Sequence, residues 1–163
     1  MGSSFRRCFM VALVLTALSQ PSFARGAADE KDSGHEPKTI VGAWFNTVQP
    51  TQRPAFVGLG NFSSDGGVVN TTSDSLSFPT ETPGFGRWTK TGPLTYAITF
   101  FTLVGAPDGT LAATGKVRAT VTLSPGGDEF TGVFQVDLVD PSGVLIVSDT
   151  GTVTGTRIKV EPF

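Results

Sequence analysis

Apolar and threonine-rich runs alternate with clusters of turn-forming residues along this chain. Thr91-Gly92-Pro93, Ala106-Pro107-Asp108-Gly109, Ser124-Pro125-Gly126-Gly127-Asp128 and Asp140-Pro141-Ser142-Gly143 punctuate its second half. Glycine supplies the positive φ of tight turns and proline presets their first corner, so this spacing predicts consecutive β-hairpins. Strands are expected at 40–48, 55–63, 67–72, 84–91, 94–104, 110–123, 129–139 and 144–158. No segment repeats apolar residues at helical spacing. Eight sequential antiparallel strands most simply form a meander, and eight is a number at which such a sheet closes on itself. Closure also removes the free edges that invite aggregation. The expected fold is all-β: an eight-stranded antiparallel up-and-down barrel.

Turn position fixes which residues face one another, and side chains alternate between faces. With Ser124 opposite Glu129, Val117, Ala119, Val121 and Leu123 oppose Val136, Phe134, Gly132 and Phe130. Pairing Val139 with Val144 carries this face onto Leu145 and Val147. Pairing Gly105 with Thr110 sets Ile98 opposite Val117 and Tyr96 opposite Ala119. The three turns agree on one inside, lined by Tyr96, Ile98, Phe100, Val104, Leu111, Val117, Val121, Phe130, Phe134, Val136, Leu138 and Val147. A meander also sorts its loops into two ends. The connections at 64–66, 92–93 and 125–128 share one end. The connections at 49–54, 73–83, 106–109 and 140–143 share the other, which is the expected mouth. Leu76 and Phe78, apolar residues in the polar 73–83 segment, either close over a cavity as a lid or plug the barrel.

Composition narrows compartment and partners. Residues 1–24 have the parts of a signal peptide: Arg6 and Arg7, an apolar run from Phe9 to Leu18, and Ser22-Phe23-Ala24. Cleavage there would remove Cys8, the only cysteine, and leave no disulfide. The polar stretch 25–38 reads as a disordered lead and 39–163 as one barrel domain. Export, to a periplasm or outside the cell, is the expected localisation. The apolar run is well short of the roughly 20 residues of a membrane-crossing helix, and no membrane insertion is expected. From Arg25 onward there are 10 basic and 14 acidic side chains with no basic cluster, so nucleic acid is not an expected partner.

Candidate chemistry is sparse. The only histidine, His35, falls in the polar lead, which argues against a histidine metal cluster or a Ser-His-Asp triad within one chain; no metal or other cofactor is expected. Asn61-Phe62-Ser63 and Asn70-Thr71-Thr72 fit the glycosylation acceptor pattern. Lys116 falls opposite Asp137, with Arg118 diagonal to the same carboxylate, as an outer cross-strand pair. Asp149 falls opposite Phe134 and so inside, where burial would raise its pKa and fit it for acid or base catalysis, unless a bulge at Asp149-Thr150-Gly151 turns it outward. Tyr96 offers an inward hydroxyl, as a second catalytic candidate or as simple packing. Arg157 lies on Asp149's face eight residues along, where a water or a ligand carboxylate would link the two. The ligand-binding set is thus Tyr96, Ile98, Phe100, Phe134, Val136, Leu138 and Arg157. The Gly92-Pro93 turn allows two registers, which leaves the inward residue as Trp88 or Arg87. On the outer face Phe101, Leu103, Val139, Val144 and Ile146 form an apolar patch, in the rows Phe101, Thr114, Val139, Val144 and Thr99, Lys116, Asp137, Ile146. Such a patch predicts self-association, as a homo-oligomer, or a partner.

Gly42-Ala43-Trp44, at the start of the first strand, resembles the G-x-W motif of lipocalins and other calycins, and Arg157 sits where that family places an arginine over the tryptophan. Gly86-Arg87-Trp88 is similar to a pattern repeated in small secreted bacterial calycin-like proteins related to the allene oxide cyclase barrel. The resemblance implies structural roles for Gly42, Trp44 and Arg157, with a cation–π seal worth about 0.5 to 2 kcal/mol. It implies a barrel that holds an apolar or amphipathic small molecule or, in the cyclase branch, an isomerase that steers its rearrangement. A third reading is an oligomeric structural module with a filled core.

Overall fold

A computed structural model of the protein describes residues 38–73 and 81–163. The expected leader, Cys8, His35, all of the polar lead before Lys38, and Leu76 and Phe78 lie outside the described residues. Eight strands follow in order: β1 (Gly42–Pro50), β2 (Phe56–Phe62), β3 (Gly67–Thr72), β4 (Gly84–Lys90), β5 (Thr95–Gly105), β6 (Leu111–Leu123), β7 (Glu129–Val139) and β8 (Leu145–Arg157). Each pairs antiparallel with the next, and β1 pairs with β8 from Trp44↔Arg157 to Pro50↔Gly151, which closes the barrel.

The β6–β7 register is as the Ser124 turn dictates, with Val117 opposite Val136 and Ala119 opposite Phe134. The two hairpins at the other end run two residues out of the expected register. Ile98 faces Ala119 and Tyr96 faces Val121, and Asp149 faces Val136 rather than Phe134. The cause is local. In the turn at 106–110 the Gly109 N–H donates to Ala106 O (3.0 Å) and the Ala106 N–H to Thr110 O (2.7 Å), with Gly109 at φ 85°. The turn at 140–144 repeats this, with Gly143 at φ 87°. Irregularities follow at Val104/Gly105 and Leu138/Val139, as expected of turns in which a left-handed glycine adds a bulge. A two-residue offset keeps the same face inward, so the lining survives except beside the two bulges, where Leu111 is exposed instead of buried and Val147, though still on the cavity, is also exposed.

Large inward side chains gather at one end. Ile40, Trp44, Tyr96, Val121 and Leu123 are essentially inaccessible to water, and Phe62, Val68, Ile98 and Phe130 pack with them. Burying each such side chain contributes about 1.5 to 3 kcal/mol. Trp88 is the inward residue of β4: it packs against this cluster, meets Tyr96 edge-on at 5.6 Å, and donates from Nε1 to Ser63 O at 3.0 Å. Arg87 points out, donating to Asp65 O at 2.9 Å.

Candidate functional site: a cavity closed at one end

The closed end is built around Trp44 and Arg157, cross-strand partners on β1 and β8. The guanidinium lies 4.3 Å from the indole centroid, and Phe130 stacks at a tilt on the same indole at 4.9 Å. Arg157 also donates to the carbonyls of Thr39 (2.7 Å), Val41 (2.7 Å) and Gly127 (2.8 and 2.9 Å), while Trp44 Nε1 donates to Ile40 O at 2.8 Å. Gly42 holds φ 127°, and a Cβ there would come within 2.8 Å of Arg157 Nη1. Residue 42 must therefore be glycine for the arginine to reach across.

Above this floor the inward positions become small: Ala113, Gly115, Val117 and Ala119 on β6, and Gly151 and Val153 on β8. Three phenylalanines lie directly opposite glycines: Phe100↔Gly86, Phe134↔Gly151 and Phe130↔Gly155. A Cβ on Gly151 would come within 2.8 Å of the Phe134 ring, and one on Gly155 would overlap the Phe130 ring. The glycines let the aromatic rings lie against the wall instead of filling the centre. A cavity of about 520 Å3 remains, with Ile98, Phe100, Val117, Phe134, Val136 and Leu138 in its walls, and opens at the end where Gln52, Arg53, Glu81 and Thr82 stand. This volume is in the ordinary range for a small-molecule pocket.

Of the expected ligand-binding residues, Ile98, Phe100, Phe134, Val136 and Leu138 line the cavity. Tyr96 and Arg157 do not. Tyr96, 1% exposed, belongs to the packed floor beneath it, and Arg157 is committed to the seal. The proposed link between Asp149 and Arg157 is likewise absent: eight residues of extended strand, about 26 Å, separate the rim from the floor.

Asp149 faces inward, 3% exposed, but its surroundings differ from those of a raised carboxyl. Its Oδ1 accepts from Thr51 Oγ1 at 2.7 Å and from the Thr150 N–H at 2.8 Å, and Arg53 Nε stands 3.9 Å from Oδ2. The Thr51 hydroxyl, with the Thr150, Gln52 and Thr51 amides, outweighs burial and holds the group below its ordinary value of 3.8. Asp149 is therefore ionised at neutral pH and has no proton to give as a general acid. It fastens the β1–β2 loop to β8, alongside the bonds from Thr51 N–H to Thr150 O (2.8 Å) and from Gln52 Nε2 to Ser148 O (3.2 Å). Asp149 Oδ2 makes no hydrogen bond among the described residues.

A second inward polar group, Asn46, is absent from the sequence-based set. It is 6% exposed and lines the cavity one inward position above Trp44. Its Nδ2 is 3.5 Å from Asn70 Oδ1, and its own Oδ1 has no hydrogen-bond partner among the described residues. The signal was an asparagine in phase with Trp44 and Val48 on an otherwise apolar face. Asn70 faces the same cavity, so a glycan at that acceptor sequence would have to occupy it.

A scan of protein-family profiles and a search of curated proteins both find nothing that matches this chain.

Outside, Phe101, Leu103 and Val144 are exposed and Val139 is half-buried, whereas Ile146, expected on this face, is the extra residue of the second bulge and lines the cavity. The rows differ from expectation because of the register offset: Phe101 pairs with Lys116, whose ammonium lies 5.8 Å from the ring, and Thr114 pairs with Leu103. Arg118, rather than Lys116, forms the ion pair with Asp137.

Proposed function

We propose that this protein is an exported, calycin-like carrier that binds an apolar or amphipathic small molecule inside its barrel. The observation that carries the reading is the cavity of about 520 Å3, apolar along its walls and open at one end. Small inward residues and glycine-backed phenylalanines hold that space open, and the Trp44–Arg157 seal lets it end blindly. The Gly42-x-Trp44 and Arg157 arrangement supports the calycin likeness. A filled structural core draws less support, since the described residues leave this interior open. The isomerase alternative draws less support, since Tyr96 lies in the packed floor and Asp149 is an ionised loop anchor.

The test is calorimetric titration of solvent-extracted protein with a long-chain alcohol, beside a Val117→Trp variant that fills the cavity. Saturable one-to-one binding lost in the variant supports the carrier reading. No binding by the wild-type protein, or equal binding by both, overturns it.

A further inference from the structure

The cavity's deepest polar feature is the Asn46–Asn70 pair, and it points to the end of the ligand that enters first. Asn46 is 94% buried by its 6% exposure, lines the cavity, and leaves Oδ1 with no donor among the described residues. A buried acceptor without a partner is costly, and an apolar residue of similar size would avoid that cost. The surroundings keep the amide pair accessible. A Cβ at Gly60 would come within 3.1 Å of Asn46 Nδ2 and 3.5 Å of Asn70 Oδ1, so glycine there leaves the pair unobstructed. The charged residues lining the cavity, Arg53, Glu81 and Asp149, stand at the mouth, while the Arg157 guanidinium is held by Trp44 and three backbone carbonyls. A carboxylate carried to the floor would meet, among the described residues, no cation beyond the committed Arg157, at a large desolvation cost.

We infer that Asn46, supported by Asn70, is the recognition site for an uncharged hydroxyl at the inner end of the ligand, which donates its proton to Asn46 Oδ1 while its apolar body lies along Phe100, Phe134 and Val136. This rests on the carrier reading and adds the ligand's class and orientation: a long-chain or polycyclic alcohol rather than a fatty acid.

The experiment compares 1-dodecanol, dodecyl methyl ether and dodecanoate by calorimetry at neutral pH, with wild-type protein, Asn46→Leu and Asn70→Val. Wild type is expected to bind the alcohol roughly three- to tenfold more tightly than the ether, and dodecanoate more weakly than either. Asn46→Leu should bind alcohol and ether equally while its ligand-free form melts higher, since the unpaired acceptor is gone. Asn70→Val should reduce the preference in the same direction and provides the comparison if Asn46→Leu does not fold. Equal wild-type affinity for alcohol and ether, strongest binding of dodecanoate, or an Asn46→Leu protein that keeps the preference would overturn the inference while the carrier reading stands. Absence of binding by all three ligands would overturn both.

Discussion

The two ends of this barrel use the same kinds of residue for opposite purposes. At the closed end an arginine lies on a tryptophan and its N–H groups satisfy backbone carbonyls from three residues, so a charge becomes part of a solid floor. At the open end another arginine, Arg53, stands near a carboxylate that grips a loop, and the polar groups there frame an entrance. Aromatic side chains differ in the same way. Trp44, Trp88, Tyr96 and Phe130 pack on one another below, while Phe100 and Phe134 lie against glycine-bearing strands above and leave space between them. Glycine stands across from rings at both ends, opposite Trp44 and Phe130 as well as Phe134, so what distinguishes plug from pocket is how many large side chains crowd each ring.

The largest expected effect comes from breaking the floor. Trp44→Ala removes the group on which Arg157 and Phe130 both rest and should cost about 3–5 kcal/mol of unfolding free energy, read by urea titration. A cost under about 1 kcal/mol would mean that the floor is not the stabilising end.

Filling the pocket should do the converse. Val117→Trp should abolish binding yet cost no more than about 1–3 kcal/mol, because the ring enters existing space. A loss of stability as large as that of Trp44→Ala would show a tightly packed interior.

At the rim, the prediction concerns acid. Because the Asp149 carboxyl sits below its ordinary 3.8 when folded, the unfolded chain binds more protons in that range. Its contribution to stability is present above pH 3.8 and is lost as pH falls through the lower folded value. Asp149→Asn should therefore be less stable at neutral pH and lose less on acidification, followed by circular dichroism between neutral and acid pH. Asp65, Asp108, Asp128, Asp137 and Asp140, all shifted downward by their hydrogen bonds, keep a residual acid slope in the variant. A variant with the wild-type slope would contradict the anchoring role. The smallest effect belongs to the exposed outer ring of Phe85, where Phe85→Ser should change stability by no more than about 0.5 kcal/mol.

The strand order, the closure and the location of the mouth were legible because turn residues and two-residue alternation are local signals, and they survive a register offset of two. What could not be read was anything set by the bulges that follow Gly109 and Gly143. They moved Asp149 from Phe134 to Val136 and exposed Leu111. The protonation state of Asp149 was hidden for a different reason: Thr51, which lowers its pKa, is 98 residues away in sequence and meets it only because β1 closes against β8. Tyr96 was correctly placed inward, but facing inward does not separate a floor residue from a cavity wall. Asn46 was missed because an inward asparagine breaks the apolar pattern used to find the lining.

The central claim is that the space above the Trp44–Arg157 floor admits a ligand through the Arg53–Glu81 end. It is tested most directly by nuclear Overhauser contacts between 1-dodecanol and methyl-labelled protein. The account predicts contacts to the methyls of Ile98, Val117, Val136 and Leu138. Contacts confined to the outer methyls of Leu103, Val133 and Val144 would contradict it.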